Sequence, residues 1–290
     1  MEVVLESAPG RAADYFELAK PRITSLVVIT AAVGYALGTA DFQAATFLAV
    51  LCGTALVAGG ASALNQYAER EADGRMLRTR NRPLPAGRLT PGEGLAFGFA
   101  ISSVGLAVLA AGTNRLTFSL GLAALASYVF AYTPLKRVSS LCTVVGAVPG
   151  AIPPLMGWAA ARGALDRTAW ALFAILFLWQ LPHFLALAWM YREDYARGGF
   201  PMLAVSDEGG GSTGRQALLY AAALLPVTLT AGLFAQAGMV FLSGGLVAGL
   251  AFLACAALFA RRREVAWARR LFLASVLYLP AVLALMVFDR

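Results

Sequence analysis

Asn65, Glu69 and Asp73 recur at intervals of four residues. On an α-helix that interval aligns them in one nearly vertical stripe, drifting by about 40° per step. Three oxygen donors on one stripe suit a hard cation. Mg²⁺ is typically held by one or two carboxylates while substrate phosphates complete its shell. Arginines follow at once, at positions 70, 75, 78, 80 and 82. Guanidinium groups grip phosphate oxygens in bidentate fashion, so acids for a metal stand beside cations for a diphosphate. A solvated helix end with i,i+4 ion pairs would align acids and bases in the same way, although Asn65 adds nothing to such a face.

A second polar segment repeats the theme. Trp189-Met-Tyr-Arg192-Glu193-Asp194-Tyr195 places acids after an apolar run, and Gly198-Gly-Phe-Pro201 follows. The two segments hint at an internal duplication with both halves aimed at one cavity. Between them lies Tyr132-Thr-Pro-Leu-Lys136-Arg137, where Lys136 is one of only two lysines against 21 arginines. Anchoring at a membrane surface accounts for that lysine equally well. His183, the sole histidine, follows Pro182 inside an apolar run. An ionisable group in such a place is either a functional contact or a side chain hydrogen-bonded between helices.

The elements that must hold these residues follow from the scarcity of charge. Of 290 residues only 39 are charged, while hydrophobic types make up 59% and the mean hydropathy is +0.70. A 13% charged share cannot cover a water-facing surface of this size, and so apolar a chain cannot remain disordered. Nine uncharged stretches reach membrane-spanning length: 23–38, 44–64, 95–112, 116–132, 141–161, 168–191, 216–234, 238–260 and 271–288. Segments alternating with period two are absent, which argues against a β-barrel. The expected fold is an all-α membrane bundle of about nine helices around a central cavity open to the cytoplasmic face. It forms a single domain over 1–290, with active-site loops at 65–94 and 192–215.

With the N-terminus cytoplasmic and the C-terminus periplasmic, 19 of the 23 basic residues fall on the inner side, and only Arg115, Arg162, Arg167 and Arg290 lie outside. The net charge of +7 is then a topology signal, and no nucleic acid is implied. The polar, acidic opening residues do not read as a signal or transit peptide, and a bacterial inner membrane is the simplest location. Cys52, Cys142 and Cys255 all sit in apolar spans, without a CxxC pair, which points to packing and not to disulfides or metal. Pro149, Pro153 and Pro154 within one span need a protected setting for the carbonyls they free.

At these residues the chain resembles a known family. Asn65-x-x-x-Glu69-x-x-x-Asp73 with Met76-x-Arg78-Thr79-x-x-Arg82-Pro83-Leu84 is similar to the first acidic motif of the UbiA-type intramembrane prenyltransferases, and Tyr132-x-x-x-Lys136 to another of their elements. Gly150-Ala-Ile-Pro-Pro-Leu-Met-Gly-Trp158, Leu181-Pro-His-Phe184 and Tyr191-Arg-Glu-Asp-Tyr195 resemble the haem-farnesylating branch. The likeness runs from about Lys20-Pro-Arg22 to Leu203. Two departures stand out. Gly198 occupies the place where the superfamily has a second aspartate four residues after Asp194, as it does in the haem branch, and Cys142 stands where the family often has asparagine.

The resemblance implies transfer of farnesyl from farnesyl diphosphate to a vinyl group of haem B (protohaem IX), giving haem O and diphosphate. It implies Mg²⁺ as cofactor, on Asn65, Glu69, Asp73 and Asp194. Arg22, Arg78, Arg82, Tyr132, Lys136, Arg137 and Arg192 would bind the diphosphate, and His183 and Trp158 the haem. Membrane lipid surrounds such a protein, and a haem A synthase or terminal oxidase assembly is a conceivable partner. Rival readings are a UbiA-type enzyme acting on a quinone precursor or chlorophyll-like acceptor, a secondary transporter, and a structural subunit.

Overall fold

The computed structural model of the chain describes residues 10–289. Most of the acidic opening segment and Arg290 lie outside the described residues. A short helix α1 (Arg11–Leu18) precedes α2 (Pro21–Gly38), α3 (Ala44–Arg75) and α4 (Pro91–Gly112). Next come α5 (Arg115–Ala126), a π-helical segment (Ser127–Tyr132) and α6 (Thr133–Leu135), which run on as one rod. The chain continues as α7 (Cys142–Ala151), α8 (Pro153–Arg162), α9 (Arg167–Met190), α10 (Arg192–Gly198) and α11 (Leu203–Ser206). It closes with α12 (Gly211–Phe234), α13 (Met239–Arg262) and α14 (Val265–Phe288). No strand occurs among the described residues. Among the described residues nine helical stretches are long and apolar enough to cross a membrane, with α7 and α8 forming one of them. They coincide with the nine expected spans, and the protein is a multi-pass membrane protein.

Local chemistry sets several helix ends. Thr90 and Glu93 form a reciprocal capping box at the start of α4, and Asn114 and Asp166 accept from the first free amides of α5 and α9. α3 does not stop where its apolar stretch ends. It continues to Arg75, 32 residues in all, carrying Asn65, Glu69 and Asp73 on its last three turns. The outer faces are apolar: Leu26, Ile29, Val247 and Leu277 are all more than half exposed, as lipid-facing side chains must be. Cys52 is exposed and Cys255 partly buried, so only Cys142 is a core residue. The packing expected of all three therefore holds for Cys142 and in part for Cys255, which packs against the core, while Cys52 faces outward.

Close helix approach depends on glycine at a few points. A Cβ on Gly157 would overlap the Ala31 carbonyl of α2, and one on Gly34 would overlap the Pro154 carbonyl of α8. Small residues of this kind let membrane helices touch backbone to backbone. Gly146 leaves room for the ring of Tyr132 in the same way. Gly157→Leu is therefore expected to lower the unfolding midpoint in detergent by about 5 °C or more. Gly92→Ala, at a position open to space, should leave it unchanged.

Candidate active site

Three residues of α3 meet partners from elsewhere in the chain. Asn65 Nδ2 donates to Glu69 Oε1 at 2.9 Å and to Thr133 Oγ1 at 3.1 Å. Lys136 Nζ donates to Glu69 Oε2 at 2.7 Å. One turn further along, Arg82 Nη1 donates to Asp73 Oδ2 at 2.7 Å, while the Thr79 hydroxyl donates to the Asp73 carbonyl at 2.9 Å. Asn65, Glu69, Asp73 and Lys136 are all buried. Burial opposes the charge on Lys136, but the Glu69 carboxylate outweighs it and raises the lysine's pKa. The other carboxylate oxygen of Asp73, Oδ1, is buried without a hydrogen-bond partner.

The π-helical segment brings Tyr128 and Tyr132 to this cluster, their rings 5.1 Å apart. Such segments occur mainly at functional sites because they admit an extra residue into a turn. The Thr133 hydroxyl donates to the Tyr128 carbonyl at 2.8 Å while accepting from Asn65. The bulge is thereby tied to the acid stripe. Lys136 Nζ lies 6.0 Å from the Tyr132 ring centre, 5.9 Å from Tyr195 and 4.4 Å from Phe200.

The second polar segment thus arrives beside the first. Asp194 accepts from the backbone amides of Leu77 and Arg78 at 3.0 and 3.1 Å, and from Arg197 at 2.5 Å. Burial alone would raise its pKa, but the Arg197 contact and the two amides outweigh it and the value falls. Arg78 lies over the rings of Tyr191 and Tyr195 at 5.2 and 6.0 Å. Gly198 closes against Met76 and Phe200, and a Cβ there would touch both at 3.0–3.1 Å. The glycine standing in the place of a second aspartate is therefore a packing position at the seam between the two segments.

Several residues named from the sequence make contacts other than with the acid stripe. Arg22 is exposed, on the helix face that carries the exposed Leu26 and Ile29 at i+4 and i+7. Arg137 donates to the Ala68 carbonyl at 2.5 Å, and Arg192 stacks on Trp189 at 4.5 Å. Trp158 packs on Gly38, at the other end of α2. That is roughly 27 Å from Pro21 at 1.5 Å per residue. There it borders a cleft of about 440 Å³ with Arg162, Asp166 and Arg167. His183 shares a 2.7 Å hydrogen bond with Ser275 and stacks between Trp179 and Phe272 at 5.3 and 4.6 Å. Its ring is a bridge between α9 and α14. Cys142 is buried, and its thiol donates to the Met202 sulfur at 3.7 Å.

Lys20, by contrast, is not among the site residues that the motifs mark. It lies within electrostatic reach of Arg82, Glu69, Lys136 and Asp73. Desolvation, followed by the nearby Arg82, lowers its pKa to about 7. The available signal was compositional, since Lys20 and Lys136 are the chain's two lysines. Tyr195 and Phe200 likewise carry no site role that the motifs mark.

Among the described residues no three acidic, histidine or cysteine side chains converge as a metal site on their own. One pair-bound carboxylate, one carboxylate with a bare oxygen and one amide form instead an incomplete oxygen set. Beside it stand cations that a polyanion could recruit. A membrane bundle with such a set at one helix end has the architecture of an intramembrane transferase acting on diphosphates. The chain belongs to the UbiA prenyltransferase family, whose model matches residues 27–276. At closer range it is 48% identical to the protoheme IX farnesyltransferase of Solibacter usitatus (strain Ellin6076), over 96% of this chain and 98% of that relative. The Myxococcus xanthus (strain DK1622) protein of the same name is 45% identical over 100% of this chain and 99% of its own length. Among solved structures, a UbiA homolog from Archaeoglobus fulgidus bound to GPP and Mg²⁺ shares the fold, with a TM-score of 0.68 at 16% identity over 94% of this chain and 99% of that one.

Asp194→Ala should release the Leu77 and Arg78 amides, raising trypsin cleavage after Arg78 and Arg80 about tenfold or more while the spanning helices stay protected. Because the folded pKa of Asp194 is lowered, its tether contributes fully above the ordinary carboxylate range. It is lost as pH falls through the lowered value. Hydrogen-exchange protection of the Leu77 and Arg78 amides should accordingly fall only below the usual aspartate pKa.

Proposed function

We propose that the chain transfers the farnesyl group of farnesyl diphosphate to a vinyl group of protohaem IX (haem B), yielding haem O and diphosphate. The observation that carries the chemistry is the bare, buried Asp73 Oδ1 beside two cations paired to carboxylates. The acceptor rests on the relatives of that name over nearly the whole chain. Asn65, Glu69 and Asp73 would hold Mg²⁺, which when bound neutralises diphosphate charge. Arg82 and Lys136 would turn from their carboxylates to the phosphate oxygens. They stabilise the charge that builds on the leaving group.

The bond between farnesyl C1 and oxygen breaks, and its electron pair leaves with diphosphate. The vinyl carbon then attacks C1 of the allylic cation, forming the new carbon–carbon bond. Water finally captures the positive charge next to the haem ring and loses a proton, leaving a hydroxyl. Premature water must be kept from the cation, and Tyr132, Tyr195 and Phe200 form an aromatic wall around the Lys136 ammonium that serves this purpose. Arg78, held by Asp194 and the two tyrosines, positions the seam between the loops and can reach the diphosphate from it. Asp194 has its oxygens occupied by the loop amides and Arg197, so we assign it to this seam ahead of the metal. The acid-bearing end would face the cytoplasm of a bacterial inner membrane.

Mass spectrometry of the pigment formed when the chain is expressed with both substrates tests the reading. A haem heavier by a hydroxyethylfarnesyl group is expected, whereas unmodified haem beside a prenylated quinone would assign another acceptor. Asp73→Ala should reduce Mg²⁺-dependent diphosphate release in membranes at least a hundredfold. Undiminished turnover in that variant would sink the metal assignment.

A further inference from the structure

Lys20 joins α1 to α2 in a conformation that lysine rarely adopts. Its backbone is left-handed, with φ 48° and ψ 62°, and the next residue is Pro21, a neighbour that ordinarily imposes extended backbone. It is one of three non-glycine residues of positive φ among those described. Strain of this kind, of order 1–3 kcal/mol, persists only where the surroundings over-determine it, and it collects at ligand clamps.

The surroundings here do over-determine it. Gln66, on the helix that bears Glu69 and Asp73, donates from Nε2 to the Leu18 carbonyl at 2.8 Å. Thr24 Oγ1 donates to the Ala19 carbonyl at 2.7 Å, and Ala19 packs against Gly59 of α3. Leu18 is fully buried with Ala63, Leu84 and Leu89. Arg88 pairs with the buried Asp14 at 3.2 Å and with Glu17 at 2.6 Å, and Arg11 pairs with Glu93. The corner is therefore lashed to α3 and to the first polar loop, and its strained residue is delivered to the acid stripe.

Charge matching shows what the lysine is for. Glu69 is taken by Lys136 and Asp73 by Arg82, while the ammonium of Lys20 has no hydrogen-bond or ion-pair partner among the described residues. Two carboxylates thus face three cations, and the unmatched one belongs to a half-buried residue whose desolvation lowers its pKa. We infer that Lys20 is a diphosphate-binding residue of this site, held in place by its strained backbone to meet an anionic phosphate that completes the charge balance. The inference rests on the diphosphate reading above and is independent of the acceptor.

Lys20→Gly is the discriminating variant, because glycine takes the left-handed conformation without penalty and so removes the cation while easing the fold. The test is calorimetric binding of inorganic pyrophosphate with Mg²⁺ to the purified chain in detergent, alongside thermal unfolding and steady-state kinetics. We expect an unfolding midpoint equal to or above that of the wild type, with pyrophosphate affinity about tenfold weaker. KM for farnesyl diphosphate should rise by a similar factor and KM for haem should not move, and Lys20→Arg should restore most of the binding. Wild-type affinity in Lys20→Gly would overturn the inference. A weakened variant of a wild-type chain that binds pyrophosphate but leaves haem unprenylated would uphold Lys20 and overturn the acceptor. Failure of the wild type to bind pyrophosphate would overturn both.

Discussion

The buried Glu69–Lys136 pair is the contact on which the site depends. A carboxylate taken out of water at a helix end inside a membrane protein is tolerable only when a cation meets it at hydrogen-bond distance. Here that cation comes from a different helix rod, 67 residues away along the chain. The pair forces the end of the α5–π–α6 rod against the end of α3. Thr133 seals that approach by accepting from Asn65. Both charges are then exchangeable: what holds the two helices together at rest is what a diphosphate and its metal would take over. A well-packed apolar contact would join the helices as firmly but would have nothing to hand over.

The second polar segment is built around the same pair. Tyr195 and Phe200 box the ammonium of Lys136, and they are placed by Asp194, which reads the backbone of the first loop through two amides. Binding to amides in place of side chains fixes the loop's path whatever residues it carries. Meanwhile Gly198 lets the two segments close on Met76. Specificity for a large, flat acceptor would then depend on how this aromatic roof opens, since the spans beneath it are held by close glycine contacts that leave little room to adjust.

Much of the molecule is legible in the amino-acid order. The nine spans follow from uninterrupted apolar length, because water-free surroundings leave no alternative to helix. The stripe of Asn65, Glu69 and Asp73 follows from helical periodicity. Pattern reading carries no information on the direction in which a side chain points. Arg22 and Lys20 are two residues apart and both cationic types, yet one is exposed and the other lies within electrostatic reach of the acids. Asp194 has the sequence signature of a metal ligand but spends its oxygens on loop amides and Arg197. Trp158 and His183 share the resemblance to the haem branch, yet one lies near the far end of its span and the other bridges α9 and α14.

By itself the sequence determined the class of solvent, the number of helices and the chemistry available at one end of them. These depend on length, periodicity and residue type, which are local properties. Only the tertiary structure decided which cation neutralises which acid and which lysine is left unmatched. That outcome turns on helix rotation and on a single left-handed residue at Lys20. Burial makes unpaired charge expensive over a few ångströms, a distance that no spacing along the chain records.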